Sequence, residues 1–578
     1  MSKLGNFVWG IADQLRGVYK PHQYGGVILP FTILRRLDCV LASTRDEVRA
    51  LATKFSDGAL DAQVKRKTGL GFYNTSSFDF SRLLEDPEGL RANLMDYITS
   101  FSGNIDVFER FKFENELATL DEKNRLYLVT SKFAEVDLHP DAVSNAEMGD
   151  LFEHLIYKFA EASNEEAGEH YTPRDAIRLM VDLLFAEENT ALLEPGTVRT
   201  IYDPTAGTGG MLSVAEERLL ERNPEARLRL YGQEINDQSY AICKSDMLSK
   251  GQDPGNIRVG DTLSDDHFWD RTFDFCMSNP PYGVDWKAAQ AAVEKEALTP
   301  GSRFSHGLPS IGDGQMLFLC HLAQKMRPTH EGGGRAGIVL NGSPLFNGAA
   351  ESGPSKIRQW LLEEDLVEAI IALPTNMFFN TPIATYIWIL DNTKRPERQG
   401  KVQLIDASSF WTRIRKSLGS KNREVDAKAR DRIVDLYDKF DDADPDLSKV
   451  FIANDFGYWT ITVERPLLDE AGNAVKDGKG KLKPDVKKRD TENVPFTYAG
   501  NTAGDIGRDT TIEAYFDAEV LPHVPDAWVD VKKTKVGYEI PFTRQFYKYV
   551  PPRPLVEIDA DLEKQVVKIM ELLREVEG

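Results

Sequence analysis

The amino-acid sequence predicts an α/β protein with a helical N-terminal domain and a mixed, partly helical C-terminal region. Three observations carry that expectation. Apolar residues up to about Phe159 repeat at helical spacing, short β-rich runs alternate with helix-like stretches from about Thr200, and the character changes again after Leu390. The corresponding parts are 1–160, 161–395 and 396–578 of a 578-residue chain, compatible with domains of about 100 to 200 residues.

In the first part, Phe7, Ile11, Leu15 and Val18, and later Leu151, Leu155 and Phe159, recur three and four residues apart as helical stripes. In the second, the runs Val198 to Tyr202, Leu228 to Gly232, Asn256 to Val259, Phe273 to Ser278, Gly337 to Leu340, Leu366 to Leu373 and Ala384 to Leu390 read as strands. Their alternation with helices is the rhythm of a parallel or mostly parallel sheet. The last two lie close together, with Pro374 and Pro382 between them, which predicts a final antiparallel excursion at the sheet's edge.

Asp391 to Gly400 reads as a polar linker. Trp411 to Arg430 holds seven basic residues against two acidic ones, a candidate for phosphate contact with a solvated basic helix face as its alternative. Leu467 to Asp490, rich in Gly, Lys and Asp, reads as an exposed hairpin or loop. Leu562, Val566, Ile569, Leu573 and Val576 form the 4-3-4-3 seam of a terminal helix that packs on its own domain or docks on a partner.

With 41% hydrophobic and 28% charged residues, wholesale disorder is excluded. Seventy Lys and Arg against ninety-one Asp and Glu give a net charge of −21, so nucleic-acid contact must be local or shared with a partner. Cys39, Cys243, Cys276 and Cys320 lie 33 residues or more apart with no CxxC pair, which argues against a disulfide scaffold and against any metal site. Met1 to Gly10 lacks the features of a signal peptide, and no apolar run approaches the ~18 residues of a membrane span, so a cytoplasmic protein without a membrane partner is expected.

The first chemical signal is Asp203-Pro-Thr-Ala-Gly-Thr-Gly-Gly210, between a β-like run and the helix-like Met211 to Arg222. Gly207, Gly209 and Gly210 allow a tight turn and a close ligand approach, and the N–H groups of the following helix face the bound molecule. The loop does not match the GxGxxG dinucleotide fingerprint, and its leading acid suits a cofactor with a cationic amino group better than a pyrophosphate. Glu234 ends the next strand-like run, where a carboxylate can accept from ribose hydroxyls. Asp261 follows the third, placed to contact an adenine edge. Together these acids outline an adenosine pocket at the carboxyl edge of the sheet.

The second signal is Asn279-Pro280-Pro281-Tyr282, after the run ending at Ser278. An amino group conjugated to a base is a poor nucleophile because its lone pair is delocalised. The Asn279 oxygen and the Pro280 carbonyl could accept its two N–H bonds and aim the lone pair at an electrophile, on a backbone stiffened by two prolines. Tyr282 could stack on a base extruded from a duplex.

These two motifs resemble those of S-adenosylmethionine-dependent amino-methyltransferases acting on DNA, and most closely the methylation (M) subunit of type I restriction-modification systems. Glu169-His-Tyr-Thr-Pro-Arg174 is similar to the family's further cofactor motif, with His170 where the family usually carries Phe. Ile11-Ala-Asp-Gln-Leu-Arg-Gly, Val27-Ile-Leu-Pro, Gly149-Asp-Leu-Phe-Glu-His-Leu, Ile370-Ile-Ala-Leu-Pro and Thr385-Tyr-Ile-Trp-Ile-Leu extend the likeness over about residues 5 to 395.

The resemblance implies a Rossmann-like S-adenosylmethionine-dependent methyltransferase sheet. It assigns Tyr171, Thr172, Pro173, Asp203, Thr205, Gly207, Thr208, Gly209, Gly210, Glu234 and Asp261 to the cofactor, and Asn279, Pro280, Pro281 and Tyr282 to catalysis. It also implies methyl transfer to adenine N6 in double-stranded DNA, a specificity (S) subunit that reads the site, a second copy of the M subunit, and a restriction/translocation (R) subunit. The motif order leaves no space for a recognition domain between the glycine loop and Asn-Pro-Pro-Tyr, so recognition comes from the C-terminal region or from another chain. A self-sufficient adenine methyltransferase, methylation of a protein glutamine amide and a non-catalytic scaffold are the alternatives. Cytosine N4 presents similar chemistry to adenine N6 and is not separated from it by these residues.

Overall fold

All seven β-rich runs of the central region form strands in a computed structural model of the chain. The structure describes residues 10–577 apart from 21–22, 145–146, 150, 153–154, 156–171, 187–191, 251, 380, 502–506 and 550–553, and only the backbone at 416, 418, 571 and 573–577. The strands are β1 (Val198–Asp203), β2 (Arg227–Glu234), β3 (Ile257–Val259), β4 (Phe275–Ser278), β5 (Arg335–Asn341), β6 (Val367–Ala372), β7 (Thr385–Asp391), β8 (Lys401–Asp406), β9 (Thr412–Leu418), β10 (Lys421–Glu424) and β11 (Ser448–Ile452). Nine of them form one sheet, in the order β11-β8-β6-β7-β5-β4-β1-β2-β3.

Parallel pairing runs from β5 through β4, β1 and β2 to β3. Strand β7 is antiparallel, as the sequence suggests, but it lies between β5 and β6 and not at the edge. Its seven residues are all buried, so both of its edges need a partner strand. The expected polar linker is likewise drawn into the fold, because its charges turn inward. Lys394 Nζ bonds the carbonyls of Val367 and Lys401 and the Asp365 carboxylate, and Arg398 lies over Tyr437. The chain then enters β8, so the sheet continues past residue 395. The basic stretch begins as an antiparallel hairpin, β9 with β10, rather than as a helix face.

Helix α1 (Gly25–Leu41) is apolar on almost every side and is therefore buried at the centre of the N-terminal helices. On the sheet lie α2 (Arg174–Ala186), α3 (Gly210–Arg222), α4 (Asp237–Ser249), α6 (Gln315–Lys325) and α7 (Ala427–Lys439), while α5 (Gln290–Ala297) belongs to the connection between β4 and α6. Asp182 on α2 pairs with Arg218 and Arg222 of α3 and with Arg430 of α7, fixing three helices at one buried carboxylate. Helix α4 is apolar on two faces. Its Tyr240, Cys243 and Met247 join the sheet core, while Ala241, Ile242 and Leu248 join the core of the N-terminal helices.

Beyond β11, strand β12 (Gly457–Glu464) pairs with β13 (Asp490–Pro495), β14 (Trp528–Val529) and β15 (Lys535–Tyr538). The chain divides into two compact units, Met1–Ile540 and Pro541–Gly578. The second contains α8 (Leu555–Glu577), on which Leu562, Val566 and Ile569 are exposed. Among the described residues, no helix is long and apolar enough to cross a membrane.

Candidate functional site

The site is built where β1, β2, β3 and β4 end. After β1 the chain must turn sharply into α3, and it does so with Gly207 and Gly209 at φ of 53° and 83°, the left-handed region that favours glycine. Gly209 also meets Cys243, since a Cβ there would lie 2.8 Å from its Sγ. The loop is fastened by its neighbours. Gly207 N–H donates to Glu234 Oε2 at 2.7 Å, Ala206 N–H to the Gln233 carbonyl at 3.0 Å, and the Thr262 hydroxyl to the Pro204 carbonyl at 2.7 Å.

Asp203 is fully buried at the end of β1. Its Oδ1 accepts from the Thr205 N–H at 2.9 Å and the Thr205 hydroxyl at 3.1 Å, while Oδ2 has no partner among the described residues. Burial pushes its carboxyl up to about 7, against the two bonds from Thr205. Thr205 spends its single hydroxyl proton on Asp203, so the Ser278 hydroxyl, 2.8 Å away, donates to Thr205 and links the glycine loop to the end of β4.

Above these groups lies a cavity of about 310 Å³. Its walls include Thr172, Thr205, Gly207, Thr208, Gly210, Glu234, Asp261, Asn279 and Pro281. Asp203, Pro173, Gly209, Pro280 and Tyr282 adjoin lining residues in the chain without themselves lining the cavity, and Tyr171 lies outside the described residues. Glu234 Oε1 accepts from Asn236 N–H at 2.8 Å, and Asp261 accepts from Leu263 N–H at 3.0 Å and the Ser264 hydroxyl at 2.8 Å.

At the end of the cavity the Asn279 amide is held from both sides. Its Nδ2 donates to Thr172 Oγ1 at 2.8 Å, and its Oδ1 accepts from the Tyr282 hydroxyl at 2.5 Å. The Tyr282 ring meets Phe378 edge to face, centroids 6.3 Å apart. Burial raises the Tyr282 phenol, so it remains a donor at any physiological pH. Cys276, two positions before Ser278 on β4, is fully buried and its thiol is raised by desolvation, which keeps it protonated.

Several lining residues escape the sequence reading. Ile235 follows Glu234 and is 68% exposed at the cavity, an apolar side chain offered to a flat ligand. The segment after the Asn-Pro-Pro-Tyr motif supplies Val284, Asp285, Trp286, Ala288 and Ala289 to the wall. Trp286 is buried there, with its indole N–H donating to the Ser310 carbonyl. Arg303 ties this segment to the Asp261 loop, donating to the Thr262 and Leu263 carbonyls while pairing with Glu296. His321 lies between Arg303 and the Tyr202 hydroxyl and is kept neutral by burial. Only Trp286, four residues beyond Tyr282, carried a signal, an aromatic beside a catalytic motif. Phe378 carried none, because 96 residues separate it from Tyr282.

A glycine-loop cavity at the carboxyl edge of an α/β sheet, with acids at two successive strand ends and an amide beside an aromatic at its lip, defines an S-adenosylmethionine-dependent methyltransferase acting on an amino nitrogen. The model described as N-6 DNA Methylase matches residues 143–456, more than half of the chain, and the model described as HsdM N-terminal domain matches residues 4–133. The chain therefore belongs to the N-6 DNA methylase family.

Among its relatives is the type I restriction enzyme MjaIX methylase subunit of Methanocaldococcus jannaschii, 27% identical over 75% of this chain and 76% of that one. The MpnII methylase subunit of Mycoplasma pneumoniae is 26% identical over 74% of this chain and 82% of its own length. The crystal structure of a type I restriction-modification methyltransferase subunit from Streptococcus thermophilus superimposes with a TM-score of 0.60 at 25% identity, covering 78% of this chain and 96% of that one. The activity is adenine-specific, S-adenosylmethionine-dependent DNA methylation.

Proposed function

We propose that this chain is the methylation subunit of a type I restriction-modification complex that methylates adenine N6 in double-stranded DNA, at a site read by a separate specificity subunit. A second copy of the chain and a restriction/translocation subunit complete the assembly in this reading, and a cytoplasmic setting suits four unpaired, buried thiols. The net charge of −21 supports a partner that grips DNA, because phosphate contacts dominate affinity and this surface repels them overall. The domain reading of 1–160, 161–395 and 396–578 gives the middle part the cofactor and catalytic residues.

The residues of the cavity fit the cofactor. Asp203, with a buried oxygen lacking a partner, would take its ammonium group. Glu234 would take the ribose hydroxyls, Asp261 the adenine edge, and the backbone of Gly207 to Gly210 the methionine side, together with Tyr171, Thr172 and Pro173. S-adenosylmethionine supplies an electrophilic methyl group on sulfonium.

The clamped amide of Asn279 is the observation that carries the catalytic assignment. With Nδ2 bound to Thr172, the amide has one orientation, and Oδ1 is left to accept. An amide oxygen has two acceptor positions, so an amino N–H can join or replace the Tyr282 hydroxyl. With the Pro280 carbonyl as second acceptor, the target amine is pyramidalised and its lone pair directed into the cavity. Pro281 fixes the backbone, and Tyr282 with Phe378 forms two aromatic walls for the base. No covalent nucleophile is needed.

Modified-base sequencing of genomic DNA from wild type and from a chromosomal Asn279→Ala mutant tests this reading. Loss of N6-methyladenine at a split motif with a fixed gap is expected. Loss at a short contiguous site would favour a self-sufficient enzyme, and unchanged modification would overturn the assignment of Asn279.

A further inference from the structure

We propose that the β9–β10 hairpin is a phosphate-binding arm that holds the DNA backbone beside the extruded adenine. The proposal rests on the DNA methylation read above and adds to it a contact surface outside the cavity.

The first observation is where the hairpin is attached. Ser420 N–H donates to the Phe379 carbonyl at 3.0 Å, Asn422 N–H to the Asn376 carbonyl at 3.0 Å, and Arg423 Nη1 to the Thr375 hydroxyl at 2.9 Å. Those bonds fasten it to the loop that carries Phe378 against Tyr282. On its other side, Lys421 pairs with Asp175 at 3.0 Å and Val425 N–H donates to the same carboxylate, three residues from Thr172, the partner of Asn279. The hairpin thus bridges the two walls between which a base must enter. Any strand feeding a nucleotide into that gap carries phosphates every ~3.4 Å of its axis.

The second observation is charge. In a chain with 91 acidic residues against 70 basic ones, Thr412 to Glu424 holds Arg413, Arg415, Lys416, Lys421 and Arg423 with one acid, Glu424. Arg413 and Arg423 are directly opposed across the two strands, and like charges in that position repel. Arg415 lies two residues along β9, on the face of Arg413. Arg413 and Arg415 are exposed, and neither is held by an ion pair among the described residues. The Arg423 guanidinium stacks 4.0 Å over the Trp411 ring, which fixes its plane. An anion placed between these guanidiniums turns the repulsion into attraction, and a phosphodiester matches their forked donors. Among the described residues no carboxylate forms an ion pair with Arg413 or Arg415.

The test uses the chain assembled with its specificity subunit, comparing wild type, Arg413→Gln/Arg415→Gln and Arg413→Lys/Arg415→Lys. Duplex DNA affinity is titrated between about 50 and about 200 mM salt, alongside cofactor affinity and turnover at saturating DNA. In the Gln variant the slope of log affinity against log salt falls by about 0.9 for each arginine removed, cofactor affinity is unchanged, and the Lys variant keeps the wild-type slope. An unchanged slope in the Gln variant overturns the proposal, as does a loss confined to assembly with the specificity subunit, which would make the arm a protein contact. Equal loss of cofactor binding overturns it too, since the hairpin would then only support the pocket. A wild-type complex that transfers no methyl group to any duplex DNA overturns the underlying function instead.

Discussion

Asp203 carries an acidic function at the boundary of ionisation. Its carboxyl sits at about 7 in the fold against 3.8 in its ordinary setting, because burial disfavours the charge. Between those values the folded chain holds a proton that the unfolded chain has lost, so this group costs stability as pH rises from about 4 to about 7. A cationic ligand needs the ionised form. The stabilisation conferred by S-adenosylmethionine, measured as a rise in melting temperature, should therefore grow with pH across the same window and should lose that dependence in Asp203→Asn. Cys276 makes the opposite case. Its thiol is buried and protonated, so Cys276→Ala should retain methyl transfer within about a factor of three of wild type once corrected for the folded fraction. A complete loss in a folded variant would point to covalent catalysis.

The turn between β1 and α3 is the element on which the cofactor site depends most directly. Gly209→Ala forces a side chain into φ of 83° and against Cys243, so a cost of about 1 to 3 kcal/mol is expected, with cofactor affinity falling more than turnover at saturating cofactor. Isothermal titration and denaturant melts would separate the two effects, and Cys243→Ala should recover only the part due to the contact. The placement of this turn, of Glu234 and Asp261 and of Asn279 at strand ends was legible in the sequence, because each lies within two residues of the end of a β-rich run. The position of β7 was not, since an apolar run records burial and not the identity of its neighbours. The linker at 391–400 was misleading for a related reason. Lys394 and Arg398 look solvated in a polar stretch, yet they reach acceptors supplied by distant segments. The arm at β9–β10 read only as charge, because its attachment to the Phe378 loop joins segments about 45 residues apart and rests in part on backbone groups that any sequence possesses.

At the scale of the whole molecule, one buried cluster binds the sheet to its C-terminal helix. Arg335 on β5 reaches Asp391 on β7, Glu368 on β6 and the Tyr437 hydroxyl on α7. Burial pushes Glu368 up, but the Arg335 and Arg398 guanidiniums and the Tyr437 hydroxyl bring it below its ordinary value. Arg335→Leu strands these carboxylates in an apolar interior and should cost about 3 to 5 kcal/mol, read as a lower midpoint in denaturant melts. Helix α4 joins the other end of the molecule. It starts three residues after Glu234 and ends packed in the core of the N-terminal helices, with Lys244 paired to Asp106 and Arg110 to Asp237. One helix thus runs from the strand end that carries Glu234 to the core of the N-terminal helices, so a partner that displaced those helices would strain the wall of the cavity from a distance.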